Sequence, residues 1–145
     1  MAKPAQDPTR QILRELSALI RALTRVSGGP DEELPMTATQ KLALYELYLG
    51  GPMRLNDLAS RMGITAPSAS RTVDALVELG LVDRLTDPDD RRALRLALTA
   101  NGQGRASERE ARVAEALAPA VATLTTAERA QLTALLARLA DQVRP

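Results

Sequence analysis

The stretch LNDLASRMGITAPSASRTVDALVELG, residues 55–80, decides the fold. Leu58 and Met62 lie one turn apart on a short helix over 56–62, Gly63 breaks the chain, Ile64 reads as a buried hinge, and Thr65 opens a second helix. In that second helix Ala69, Val73, Leu76 and Gly80 recur on one side at helical spacing. A helix, a tight glycine turn and another helix make a helix-turn-helix. With the apolar side turned inward, the opposite side carries Pro67, Ser68, Arg71, Asp74, Ala75 and Glu78. The small or hydroxyl-bearing residues near its start, Thr65, Pro67, Ser68 and Ser70, let such a helix enter a major groove about 12 Å wide. Arg71 has the reach and the forked donors for guanine O6 and N7, or for a phosphate. Asp74 and Glu78 fall toward the far end of the helix, away from the expected DNA.

Downstream, over 82–99, the period changes from 3.6 to 2. Leu94, Leu96 and Leu98 alternate with Arg95 and Ala97, the pattern of a half-buried strand. Thr86-Asp87-Pro88-Asp89-Asp90 is turn chemistry, so a hairpin follows the helix-turn-helix directly, as a wing. Arg91 and Arg92 come immediately after the turn, and Arg84 and Arg95 lie on the strands. Arginine at a hairpin tip can enter a minor groove, where narrowing deepens the negative potential. Asp90 is placed to orient one of these guanidinium groups through a bidentate bond. Asp87 and Asp89 are expected to shape the turn and point away.

Upstream, Thr37 and Gln40 form a capping box for a helix with Leu44, Leu47 and Tyr48 on its buried stripe, stopped by Gly50-Gly51-Pro52. Met53 to Leu55 fits one short extended segment. The first helix starts at Asp7-Pro8, carries Ile12, Leu16, Leu19, Ile20, Leu23 and Val26, and ends at Gly28-Gly29-Pro30 before an acidic loop running to Pro35. At the other end, a helix over 99–123 contains Pro119, expected to kink its far end. A last helix starts at Thr125, with Glu128 completing a capping box, and carries Leu132, Leu135, Leu136, Leu139 and Val143.

The apolar stripes of the first and last helices have no partner inside the small winged unit. Packing within one chain or against a second copy would bury them. The second arrangement makes Ile12, Leu16, Leu19, Leu132, Leu135, Leu136 and Leu139 dimerisation residues, and it sets two recognition helices about one DNA turn apart. The fold class is thus mainly α with a small β-wing: one domain over 1–145, with a winged helix-turn-helix at about 37–99 between dimerisation helices at about 8–27 and 100–145.

Composition narrows the function. At 145 residues and 45% apolar, the chain suits one modest core. It has neither Cys nor His, which excludes disulfides, thiolate chemistry, Cys/His zinc sites and a histidine pH switch. No metal or cofactor is expected. The absence of thiols fits a reducing cytoplasm. No apolar h-region stands near Met1 and no apolar run approaches a membrane span, so a soluble, unsecreted, cytoplasmic protein without a membrane partner is expected. The net charge is only +1, so double-stranded DNA as a partner must be argued from individual arginines. Tyr45 and Tyr48 are the sole aromatic residues, too few for stacking on single strands or RNA loops.

Residues 55–63 and 70–82 resemble the helix-turn-helix of the MarR family of bacterial regulators. Asp87-Pro88-Asp89-Asp90-Arg91-Arg92, closing in Leu98-Thr99-Ala100-Asn101-Gly102, is similar to that family's wing signature, its most specific element. The run from Leu124 to Arg129 resembles the start of its last helix. The resemblance implies a homodimer with intertwined terminal helices, bound to a pseudo-palindromic operator, commonly as a repressor released by a small phenolic or anionic effector. It also implies a ligand pocket between the dimerisation helices and the winged unit. There Tyr45 and Tyr48, three residues apart on one helix, could orient a ligand, with Arg14 or Arg21 pairing an anionic one; two half-buried tyrosines that only pack the subunit are the alternative. Lacking Cys, the chain departs from relatives that sense oxidants through a thiol. Met36, Met53 and Met62 are expected to pack rather than to sense.

Two other classes stay open at this level. One is a winged-helix protein-interaction module without DNA binding, against which Arg71 and the Arg91–Arg92 pair argue. The other is a small carboxylate-dependent enzyme. Most carboxylates sit in turns, caps or exposed faces, and no nucleophile motif or phosphate loop is present.

Overall fold

Side-chain caps fix where the helices begin. In the computed structural model, which describes residues 7–27 and 36–143, Asp7 accepts the Thr9 N–H and starts α1 (Pro8–Ser27). The capping box expected at Thr37 is formed: its hydroxyl accepts from Gln40 N, and the Gln40 side chain accepts from Thr37 N, opening α2 (Ala38–Gly50). The glycine stop of the first helix and the acidic loop to Pro35 lie outside the described residues.

A short strand β1 (Met53–Arg54) leads into α3 (Leu55–Met62). Gly63 then adopts a left-handed conformation, φ 65° and ψ 33°, which an L side chain strongly disfavours. Its N–H and that of Ile64 close the helix on Ser60 and Ala59. Thr65 accepts from Ser68 N and starts α4 (Ala66–Glu78). The hairpin follows as β2 (Val82–Thr86) and β3 (Leu94–Leu98), antiparallel with Val82 opposite Leu98 and Thr86 opposite Leu94. β1 adds to the other edge of β3, so the sheet order is β1-β3-β2. Two helices complete the described chain, α5 (Ala100–Ala122) and α6 (Thr126–Val143).

The core belongs to the winged unit. Leu44 and Leu47 of α2, Leu58 of α3, Val73 and Leu76 of α4, and Leu81 beyond it form one buried cluster with Val82 and Leu96. Full burial of each large aliphatic side chain is worth about 1.5–3 kcal/mol, so this cluster dominates the fold's stability. Met53 lies inside it, and Met36 and Met62 pack against it, the role expected of them.

Several local expectations change. Ile64 is half-buried rather than buried. In β3, Ala97 is buried together with Leu96, whereas Leu94 is 53% exposed. The central strand is covered at its base but projects past the helices at the wing end, which cuts the expected alternation short. α5 runs on through Pro119 to Ala122. At Thr125, by contrast, the expected capping box is formed: its hydroxyl accepts from Glu128 N, while Glu128 accepts from Thr125 N and Oγ1. Those bonds hold the Glu128 carboxyl below its ordinary pKa.

One junction ties α4, the wing and α5 together. Thr99 donates its N–H to Leu81 O at 3.0 Å and its hydroxyl to Gly80 O at 2.7 Å, while that hydroxyl accepts the Gly102 N–H at 3.0 Å. Gly102 is buried against the Leu81 carbonyl, leaving no space for a Cβ. By contrast α6 buries no residue within the chain, and Leu132, Leu135, Leu136 and Leu139 are 38–45% exposed. Ile12 and Leu19 of α1 are exposed as well, and Leu16 is half-buried.

Gly102→Ala forces a methyl into the Leu81 backbone and is expected to lower stability by about 1–3 kcal/mol, the range for overpacking. Gly104→Ala, with open space around it, should raise stability by up to about 1 kcal/mol through helix propensity. Denaturant midpoints of the two variants at one protein concentration, displaced in opposite directions from the parent, are the expected result.

Candidate nucleic-acid interface

α4 separates its two sides sharply. Ala69, Val73 and Leu76 are fully buried, while Pro67, Arg71, Asp74 and Glu78 are exposed. Ser68 and Ser70 are half-buried, and the Thr65 hydroxyl is held by Ser68 at the helix start. Thr72, buried, returns its hydroxyl proton to Ser68 O. Of the sequence-predicted recognition residues, Thr65, Pro67 and Arg71 are thus exposed, with Ser68 and Ser70 half-buried to either side and Arg71 the long cationic side chain.

The wing turn is built on aspartates. Asp87 N–H donates to Ala93 O, closing the loop, and Asp87 Oδ1 accepts the Asp89 N–H at 2.9 Å. Asp90 Oδ1 accepts the Arg92 N–H at 3.0 Å, so Asp90 serves the backbone instead of clamping a guanidinium as expected. Arg91 and Arg92 remain exposed beside it. The two strand arginines turn out to be structural. Arg84 pairs with Asp74 of α4, and Arg95 lies 3.6 Å from Asp87.

Asp87 is the least anticipated member. It is only 1% exposed, and its Oδ2 accepts from Arg54 Nε at 2.7 Å. The Arg54 guanidinium, then the Asp89 N–H, hold its carboxyl below the ordinary Asp pKa against the opposing effect of burial. Asp87 does shape the turn, but by pointing inward to β1 rather than merely away from the ligand face. Arg54 escaped the sequence reading because its partner lies 33 residues away. The available signal was an arginine at a helix N-cap, a position that favours Ser, Thr, Asp or Asn.

A cavity of about 440 Å³ opens between α1, α2 and α5, lined by Leu23, Lys41, Leu42, Tyr45, Arg109 and Glu110, with Val113 and Leu117 deeper along α5. Its place is the one expected for a ligand pocket. Of the residues named for it, Tyr45 lines it; Tyr48, Arg14 and Arg21 do not. Tyr48 stacks on Tyr45 at 6.2 Å between ring centroids, and the neighbouring Glu110 carboxylate raises its pKa. The basic residues at the cavity are Lys41 and Arg109. Arg109, Val113 and Leu117 repeat every four residues on α5, a spacing legible in the sequence once α5 is known to wall the cavity.

Comparison with known proteins places these features. A MarR family sequence profile matches residues 34–93. RV1404 from Mycobacterium tuberculosis is 30% identical, aligned over 97% of this chain and 98% of its own, with a TM-score of 0.73. A probable transcriptional regulator from Pseudomonas aeruginosa is 32% identical over 92% of this chain and 97% of its own, at a TM-score of 0.66. The chain belongs to the MarR family of transcriptional regulators. A further structural relative, NadR in complex with 4-hydroxyphenylacetate, is 25% identical over 97% of this chain and 96% of its own, with a TM-score of 0.73. The family match extends over the aspartate-built turn and its arginine pair at 87–92. Among the described residues no His, Cys, Asp or Glu group is arranged to hold a metal, and no helix is long and apolar enough to cross a membrane.

Because the folded-state pKa of Asp87 is depressed, its stabilising contribution is complete above the ordinary Asp value of about 4 and is lost as pH falls through the lowered folded value. Asp87→Asn should be less stable than the parent at neutral pH and should lose less on acidification. Unfolding midpoints followed from neutral to acid pH test this; parallel curves for the two proteins would show that Asp87 carries no part of the acid response.

Proposed function

We propose that this MarR-family regulator binds double-stranded DNA sequence-specifically as a homodimer on a pseudo-palindromic operator, acting as a repressor released by a small phenolic or anionic effector. The observation that carries the reading is the ridge of α4: its inner side is fully buried, and its outer side offers Arg71 among small residues, followed by an exposed Arg91–Arg92 pair on the wing. One long cationic side chain on a slim helix suits major-groove readout, and arginines on a hairpin suit the minor groove or the backbone. The dimer is supported by α6, an entire helix with exposed leucines and no buried residue. The effector is supported by the cavity, which joins apolar walls to Tyr45, Lys41 and Arg109, and by the relative NadR, whose structure contains 4-hydroxyphenylacetate. Nothing specific favours an enzyme or a protein-binding module over this reading.

Selection from genomic DNA with purified protein, repeated at several salt concentrations, should recover a short inverted repeat whose affinity falls steeply as salt rises. Enrichment no better than for random duplex would overturn the operator reading. On the recovered duplex, Arg71→Ala should cost about 1–3 kcal/mol and relax sequence preference.

The dimer is tested separately by Leu135→Glu with Leu139→Glu, both positions open in the subunit. Sedimentation should show a folded monomer with greatly reduced operator affinity. A double variant that sediments as a dimer would place the subunit contact elsewhere.

A further inference from the structure

Arg54 occupies the N-cap of α3, yet its side chain makes no cap bond. Its Nε is directed instead at the buried Oδ2 of Asp87, at the root of the wing loop that bears Arg91 and Arg92. Only that one edge of the guanidinium is engaged. Among the described residues no hydrogen bond reaches its Nη groups, and the side chain is 46% exposed. The same Oδ2 also faces Arg95 Nε, at 3.6 Å, and that buried nitrogen has no hydrogen-bond partner among the described residues. One carboxylate thus stands against two guanidinium groups, and the trio carries a net positive charge. Asp57 and Asp90, both exposed, are the other acids within electrostatic reach of Arg54.

This geometry has a chemical sense that a structural ion pair alone would lack. A guanidinium presents donors in a rigid fork, so one edge can be fixed by a buried carboxylate while the other receives an anion. A lysine ammonium has no such second edge. In a helix-turn-helix the second helix enters the groove while the first crosses the nucleic-acid backbone. Arg54 stands at the start of that first helix and is bonded to Asp87 at the root of the wing loop, so it joins the first helix to the wing.

We propose that Arg54 is a phosphodiester-binding residue of the DNA interface, with its free guanidinium edge held toward the backbone by the buried Asp87, which is its positioning residue. The contact adds affinity without reading bases, and it registers the wing and α3 on the same strand segment. This rests on the DNA-binding reading above.

The test uses the full-length protein and the duplex recovered by selection with it, prepared as a set in which single phosphates are replaced by neutral methylphosphonates. Wild type should lose affinity at a few positions. In Arg54→Gln the penalty should vanish at one position per half-site while the others persist, and Arg92→Ala should retain that penalty. The slope of log affinity against log salt should fall by about 0.9 for each lost phosphate contact, about 1.8 for two subunits, equally on selected and scrambled duplex. Arg54→Lys, which keeps a cation for Asp87 but has no second fork edge, should show the same missing penalty, and it serves if the Gln variant is poorly folded. Persistence of every methylphosphonate penalty in both variants would overturn the assignment. Wild type insensitive to salt and to all methylphosphonates would instead overturn the DNA-binding reading itself.

Discussion

The seam between the Gly80–Leu81 backbone and the start of α5 governs much of the rest. Leu81 N–H closes on Leu76 O at the end of α4, Leu81 O accepts from Thr99, and the buried Gly102 lies directly on the Leu81 carbonyl. Thr99 is at once the residue after β3 and the cap of α5, so its single hydroxyl satisfies both the Gly80 carbonyl and one orphan donor, the Gly102 N–H, of a 23-residue helix. With Leu81 fully buried beneath it, α4, the hairpin and α5 meet at one dry point where a methyl group is already too large.

A second organising feature is the disposal of charge. A chain with net charge +1 seems an unpromising partner for a polyanion. Yet several of its arginines are held by nearby acids for structural ends: Arg84 by Asp74, Arg61 by Glu46, and both Arg95 and Arg54 by the single carboxylate of Asp87. Within the winged unit, the exposed cations outside these pairs are Arg71 on α4 and Arg91 and Arg92 on the wing, the elements proposed to meet DNA. Bulk charge therefore understates the local field, because the acids are spent on fixing strands and helices to one another rather than on shielding that face.

Much of the fold was legible because local chemistry dictates it. Thr37 with Gln40, Thr65, Thr99 and Thr125 each announce a helix start through a hydroxyl three residues ahead of an orphan N–H, and each forms that bond. The period-3.6 stripe of Ala69, Val73 and Leu76 is buried as read. What stayed hidden was non-local. Asp87 reads as a turn residue because Asp-Pro is turn chemistry; that its carboxylate turns inward depends on a strand contributed 33 residues earlier. Arg14 and Arg21 do not line the cavity, whose basic residues are Lys41 and Arg109, because the rotation of α1 against α5 cannot be fixed from one amphipathic pattern. Leu94 keeps its apolar character without burial, since sequence alternation does not reveal where the covering helices end.

The seam at Gly102 also has a mechanical reading. A helix of 23 residues is a rod about 34 Å long at 1.5 Å per residue, and here one end is packed against the winged head without clearance. With Gly102 packed on the Leu81 backbone there is little room for slip at that joint, so a tilt of the rod would be passed on toward α4. Over that length a tilt of about 5° displaces the head by about 3 Å. The cavity flanks the same rod between Arg109 and Leu117, well away from the joint. In a two-fold pair, the separation of the two heads is then a matter of leverage, set by how two stiff arms are splayed and not by looseness within either hand.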